Sequence, residues 1–474
     1  GNIIHVMSVP GIKCSLVAVY FILLFNIIIQ NVLAQYEPPT PTVEPLYPKG
    51  LRMSIPDENG ISLVAYHVKF NEDFYGLEAG TIARDIIKRK NGRWMYEDRT
   101  TRLKRGDKLY YWIHVVYDGL GYNLVDQQYV VNEFYNYDGT TMNGGNIPCA
   151  TPAQTQIFKT TSKEQTLCPG QMIFEETFEF LDTNRWTVQQ RFPSAPDYEF
   201  AMYMNNNDNV EVKDGSLHIR PTFTNDKYGD DYIKNGNLTL ERCTGVAGTL
   251  DCTRQGGGWN ILPPIISGRL NTKSSFTFQY GHIQIRAKFP RGDWLYPLIT
   301  LESTTEYTES SVIYFDIIVA QSNGNPFLKL QDGRDMSGHI LLGGAHATKV
   351  QFPVDDNRLN LPKKTATDLW SDNYHVYDLK WKKGKITLMV DEKQYGEQTV
   401  PTLHDTPVYI NIGLVVGGIT TFADNSVSDK YSKPWGNVEA KACYHFYLAA
   451  NSWQPTWTNS DTGLHIDYIK VWAV

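Results

Sequence analysis

The chain has 474 residues, with 44 Lys plus Arg against 51 Asp plus Glu and a formal charge of −7, an acidity that argues against a protein built to grip phosphate backbones. A hydrophobic content of 42% beside 20% charged residues excludes wholesale disorder and supplies material for sizeable cores. Aromatic residues reach 13%, with 29 Tyr, 20 Phe and 11 Trp, which suits β-rich cores and flat carbohydrate surfaces alike, so position must decide their meaning.

Residues 1–34 read as a removable export signal. Lys13 precedes an apolar run, and Val32, Leu33 and Ala34 offer a small-residue cleavage site ahead of Gln35. Met7 reads as the translation start. An uncleaved membrane anchor is the alternative, because the run approaches the roughly 20 residues that a bilayer requires. Asn26, Gln30 and Asn31 interrupt it, and no later segment is long and apolar enough to span a membrane. The expectation is a secreted protein of an extracellular, haemolymph-type fluid. Cys14 leaves with the signal. Of the rest, the near pairs Cys149 with Cys168 and Cys243 with Cys252 are the expected disulfides, although spacing alone leaves connectivity open, and Cys443 is read as a buried inert thiol. No CxxC or clustered His accompanies them, so neither a metal nor another cofactor is called for. Asn237-Leu238-Thr239 is a glycosylation sequon, with Asn237 the acceptor.

After the signal, residues 35–48 are Pro-rich and extended. Short alternating runs follow at Leu51–Ile55, Ser62–Phe70, Leu109–Tyr117 and Gln128–Phe134, separated by turn signals such as Asn91-Gly92 and Asp118-Gly119. They predict a β-sandwich over residues 35–138. Residues 139–170, rich in Gly, Thr, Asn and Pro, read as a linker. From 171 to 474 strand-like runs recur, among them Ser216–Arg220, Tyr280–Phe289, Val312–Ala320, Tyr377–Trp381, Val408–Val416 and His465–Trp472, while amphipathic helical stretches are scarce. The prediction is an all-β chain whose second segment is a large antiparallel sandwich or jelly roll.

Within Leu109–Val116, alternation sends Leu109, Tyr111, Ile113 and Val115 to one face and Tyr110, Trp112, His114 and Val116 to the other. Trp112 then either packs under a loop or serves as a platform on which a pyranose ring stacks. The runs Leu46-Tyr47-Pro48-Lys49-Gly50-Leu51-Arg52, Gly76-Leu77-Glu78-Ala79-Gly80 with Ala83-Arg84-Asp85, Asn91-Gly92-Arg93-Trp94 and Asp118-Gly119-Leu120-Gly121-Tyr122 resemble the amino-terminal module of the arthropod β-1,3-glucan recognition proteins, also called Gram-negative bacteria-binding proteins. The resemblance implies an immunoglobulin-like sandwich that binds triple-helical β-1,3-glucan through Asp85 and Trp112. His114 stands where that family often has Tyr, and Asn123 where it often has Arg, so both belong to the implied site with altered preference. The basic residues Arg84, Lys88, Arg89, Lys90, Arg93, Arg99, Arg102, Lys104 and Arg105 interleave with Asp85, Glu97, Asp98 and Asp107, which reads as a solvated mixed-charge surface rather than a site for an anionic polymer.

The second segment resembles the laminarinase-like glycoside hydrolases of family sixteen, through Phe174-Glu175-Glu176-Thr177-Phe178, Ser267-Gly268-Arg269-Leu270, Gly292-Asp293-Trp294 and Ile466-Asp467-Tyr468-Ile469-Lys470-Val471-Trp472. That resemblance implies a concanavalin-like jelly roll with a cleft across its concave sheet. Retaining hydrolysis needs a carboxylate nucleophile and a protonated acid about 5 to 5.5 Å apart. Active relatives place them as Glu-x-Asp-x-x-Glu on one strand, an odd spacing that requires a bulge. The matching positions here are Tyr314, Asp316 and Val319, and shifting the bulge offers only Ala320 or Gln321. Val cannot donate a proton, and Tyr is a poor carboxylate substitute. Glu306 and Glu309, upstream in a loop-like stretch, are weak replacements. Candidate cleft residues are Trp294, Tyr296 and His375, although two Trp faces of the relatives are lost at Tyr296 and Thr300. Arg291-Gly292-Asp293 spells an adhesive tripeptide but falls at a strand-end turn. A calcium ion near the jelly-roll termini occurs among relatives, and Asp467 is compatible with one.

The combined expectation is a catalytically inactive recognition protein for β-1,3-glucan of fungal or bacterial surfaces. The family resemblance implies a modular serine protease as downstream partner, in a Toll or prophenoloxidase cascade, and self-association on glucan. An active endo-β-1,3-glucanase and a structural or adhesive extracellular protein are the alternatives.

Overall fold

Strand alternation decides the architecture. The computed structural model describes residues 36–142, 149, 151–158, 167–305, 313–349, 355–401, 404–458 and 460–474. The export signal and the upstream acids Glu306 and Glu309 lie outside the described residues. The chain divides into two compact units, residues 1–150 and 151–474.

In the first unit the described strands are β1 (Thr42–Pro45), β2 (Leu51–Pro56), β3 (Ile61–Phe70), β4 (Ile82–Ile86), β5 (Arg93–Asp98), β6 (Lys108–Tyr117) and β7 (Leu120–Val130). They make one sheet in the order β1-β2-β5 and another in the order β4-β3-β6-β7, with all neighbours antiparallel. Val64, Tyr66 and Val68 of β3 and Leu109, Tyr111, Ile113 and Val115 of β6 are buried in one cluster with Leu51, Met53 and Ile55 of β2. Removing that apolar surface from water holds the two sheets face to face. The Tyr66 hydroxyl adds a tie, donating to the Trp94 carbonyl at 2.7 Å.

The strand expected at Gln128–Phe134 runs instead over Leu120–Val130. Asp118 and Gly119 take φ of 48° and 79°, the left-handed pair of a two-residue hairpin, so β7 begins at once at Leu120. As a sheet edge whose apolar residues include the exposed Leu120 and Val125, β7 has no clean apolar alternation to announce it. Residues 151–158, inside the segment read as linker, belong to the second unit, where Gln156–Phe158 pairs with Thr277–Gln279.

The second unit is the β-sandwich that alternation predicts. Among the described residues, one sheet runs in the order Thr187–Val188, Arg269–Asn271, Val408–Val416, Leu295–Ser303, Ile313–Gln321 and Ile340–Lys349. The facing sheet runs Val210–Lys213, Ser216–Ile219, Leu464–Trp472, Gly281–Lys288, His375–Lys382, Lys385–Val390 and Lys393–Thr399. Leu301, Ile317, Ala345 and Ile410 of the first meet Ile283, Ile285, Leu379 and Ile469 of the second in one core. That choice of inward residues sends Glu302, Asp316 and His346, which are cross-strand neighbours, to the outer face of their sheet.

Cys243 and Cys252 form a disulfide, Cys149 and Cys168 are each disulfide-bonded, and Cys443 keeps a free thiol whose pKa burial pushes up to about 12. Among the described residues no helix is long and apolar enough to cross a membrane.

Candidate functional site

The outer face of the four-stranded sheet in the first unit is ordered in rows by register. Ala65 of β3 faces Asp85 of β4 on one side and His114 of β6 on the other, and His114 faces Asn123 of β7. One row therefore reads Asp85, Ala65, His114, Asn123 across all four strands. His114 Nδ1 lies 2.6 Å from Asn123 Oδ1, an acceptor, so the imidazole donates there and its Nε2 is left toward solvent. The two departures from the family pattern are thus partners of each other. Asp85 is exposed, and its carboxylate has no hydrogen bond or ion pair among the described residues. Gly121 lies beside this row because a Cβ there would stand 2.5 Å from His114 Cε1, so only glycine leaves room for the ring.

Two residues further along β3, Leu63 faces Val116 of β6, and alternation carries Ile87, just past β4, to the same face as Asp85. Ile87 is 67% exposed. A polar row and an apolar row thus run side by side, the two kinds of surface that a pyranose ring needs for its hydroxyl edge and its hydrocarbon face.

Trp112 does not form the open platform considered above. It is 8% exposed, and one indole face is stacked on His67 at 3.8 Å with the planes 2° apart. Its Nε1–H donates to the Glu78 carbonyl at 2.9 Å, while His67 Nδ1 lies 3.0 Å from the Ala79 carbonyl. Both rings therefore hold down the Asn71–Thr81 loop, helped by Lys69 paired with Glu78 at 2.6 Å. The site sequence reasoning named is gathered at Asp85, His114 and Asn123, with Trp112 packed under a loop beside them. What spacing could not reveal was His67, because a single histidine carries no signal until register sets it against Trp112.

Part of the basic cluster is engaged. Arg89 pairs with Asp57, Arg93 donates to Ser54 Oγ at 2.8 Å, and Arg99 lies over Tyr137 near Glu97.

In the second unit the strand Ile313–Gln321 has the required irregularity. Ile318 faces Gly344 but Gln321 faces Leu342, so two residues oppose one. Val319 is 1% exposed within the core, and Tyr314 is buried. Asp316 is bound to His346 Nδ1 at 2.6 Å, and the other ring nitrogen, Nε2, lies 3.0 Å from Asp356. Burial opposes a charge on His346, yet the Asp316 carboxylate and the bonds to both acids outweigh it and push its pKa up to about 9. Asp356 is likewise opposed by burial, but Arg358 and His346 hold it well below the usual carboxylate range. One imidazolium thus sits between two carboxylates, and an Asp356 whose pKa is held low is poorly suited to act as a general acid. The neighbouring Glu302 accepts from Arg269 at 2.7 Å, Tyr409 at 2.6 Å and Asn411 at 2.5 Å.

Trp294, Tyr296 and His375 do not form one cleft. Trp294 and Tyr296 are buried, bonded to Tyr431 and Asp197 respectively, whereas His375 belongs to the opposite sheet and binds Asp391 at 2.7 Å. Asp293 of the Arg-Gly-Asp run is 2% exposed and accepts from Ser428 and Tyr431, both at 2.7 Å, which removes it from adhesion. Asp467 is taken by Arg286 at 2.5 Å, and among the described residues no cluster of three or more His, Cys, Asp or Glu is arranged to hold a metal. Asn237 and Thr239 are exposed on a short strand.

The family model CBM39, described as a carbohydrate binding domain (family 32), matches residues 37–145. β-1,3-glucan-binding protein 1 of Galleria mellonella is 36% identical over 93% of this chain and 96% of its own length. Gram-negative bacteria-binding protein 3 of Drosophila melanogaster is 32% identical over 93% of this chain and 95% of its own. Among solved structures, the laminarinase from Rhodothermus marinus matches 64% of this chain and 96% of its own at 15% identity and a TM-score of 0.40.

Proposed function

The chain belongs to the family of β-1,3-glucan-binding and Gram-negative bacteria-binding proteins, and from that premise we propose that it is a secreted, non-catalytic recognition protein that captures β-1,3-glucan on the outer face of the β4-β3-β6-β7 sheet. The observation that carries the reading is the register row Asp85, Ala65, His114, Asn123, in which the exposed Asp85 carboxylate has no partner among the described residues, beside the apolar row of Ile87, Leu63 and Val116. Asp85 accepts sugar hydroxyls. The Asn123 amide and His114 Nε2 supply further polar contacts, and the apolar row receives the hydrocarbon face of the ring. Trp112 supports the face from beneath the Asn71–Thr81 loop instead of stacking on sugar.

The second unit retains the sandwich and does not cut. Hydrolysis by retention requires a free carboxylate and a protonated one, and Tyr314 and Val319 stand where they would be. Asp316 and Asp356 are both bound to His346. Bound glucan would then be reported onward by docking a modular serine protease of a defence cascade, with self-association on the polymer, and Asn237 would bear a glycan.

Co-sedimentation with insoluble β-1,3-glucan tests the site. Asp85→Ala and Asn123→Ala are each expected to lower retention about tenfold, the order of a lost charge-assisted or buried polar contact. Pelleting equal to the unaltered protein for both variants would remove this face from the binding site.

A further inference from the structure

An open depression of about 450 Å³ adjoins this face, between the β2–β3 turn and the stretch after β4, and Asp57, Glu58, Asn59, Ile87, Lys88 and Arg89 are among its lining residues. Its back is fixed, since Asp57 accepts the Trp94 indole N–H at 2.9 Å and pairs with Arg89. Its mouth is not. The side chains of Glu58, Asn59 and Lys88 make no hydrogen bond or ion pair among the described residues.

Two carboxylates, Asp57 and Glu58, balance two cations, Lys88 and Arg89, so the depression has no net charge to attract a phosphate or sulfate. Donors and acceptors are mixed in it, which suits a neutral ligand whose hydroxyls both give and take hydrogen bonds. Ile87 belongs to both features: it ends the apolar row and forms an apolar wall of the depression. Two residues along a strand advance ~6.6 Å, a step on the scale of one hexose.

We propose that this depression is an additional subsite for the same polysaccharide, taking the hexose units that run past the Asp85–His114–Asn123 row, with Glu58, Asn59 and Lys88 bonding hydroxyls and Ile87 under the ring. The inference rests on the glucan reading of that row. It makes the footprint longer than the row alone, so affinity depends on chain length, and short oligosaccharides bind without engaging the depression.

The test is titration of soluble laminarin into the full-length protein and its Lys88→Ala, Glu58→Ala and Asp85→Ala variants, with melting followed in parallel. Lys88 and Glu58 sit at the surface, so melting should be unchanged while laminarin affinity falls about fivefold for each. Laminaritriose affinity should be unaffected by Lys88→Ala and Glu58→Ala. If those two variants bind laminarin as the unaltered protein does while Asp85→Ala does not, the subsite is overturned and the sheet-face reading stands. If Asp85→Ala also binds unchanged, the sheet-face reading falls and takes the subsite with it.

Discussion

At His114 the position of a ring depends on an atom that its neighbour lacks. Because a Cβ on Gly121 would lie 2.5 Å from the imidazole, Gly121→Ala should swing the ring off Asn123 without disturbing the inward face. Glucan affinity is expected to fall several-fold with melting changed by no more than a few degrees, since surface substitutions away from a core stay within about 0.5 kcal/mol. A large loss of stability, or full affinity, would contradict this role. His346 gives the opposite case, a residue whose charge serves the fold. Its folded pKa of about 9 stands above the ordinary 6.5, so the protonated form is favoured in the native state and its contribution is complete below pH 6.5. That contribution is lost as pH rises through about 9, and at roughly 1.4 kcal/mol per tenfold change in proton affinity it is on the order of 3 kcal/mol. Denaturant unfolding at pH 6 and pH 9.5 should show the decline in the unaltered protein and a flatter profile in His346→Gln. Equal slopes would mean the imidazolium does not bridge Asp316 and Asp356. Neither arrangement was legible in the sequence, because His346 is 30 residues from Asp316 and only register joins them.

The strand Ile313–Gln321 was legible as an element. Its apolar run announced a buried strand, and the spacing inherited from hydrolase relatives announced the bulge, found between Ile318 and Gln321. What the run could not say is where Val319 points, and it is in the core. Val319→Glu should therefore cost about 3 kcal/mol or more by burying a charge instead of restoring an acid. Tyr314→Glu with Val319→Glu should yield an unstable protein without glucanase activity. Stable folding with new reducing ends would show that the strand still presents a catalytic pair. β7 was missed for the converse reason. Its apolar residues are split between the core side, Leu124 and Tyr129, and the exposed side, Leu120 and Val125, and only the Asp118-Gly119 hairpin fixed where it starts. Trp112 was legible as an aromatic on the outer face, but whether it meets sugar or a loop depended on Glu78 and His67.

On the scale of the molecule, acidity and an all-β pattern narrowed the function before any site was found, and two units with separate cores follow from the change in strand pattern near residue 150. The first unit leaves Asp85 of its outward row without a partner among the described residues, whereas the second ties Asp316 and Asp356 to His346 and Glu302 to Arg269. That contrast is the physical basis of the proposed division between holding a polymer and cleaving it. The direct measurement is the chain length of laminarin recovered after prolonged incubation with saturating protein, read as reducing ends. The account predicts a saturable complex and a reducing-end count equal to that of laminarin kept alone. A count that climbs with time and protein concentration, and is abolished by Asp316→Asn, would contradict it.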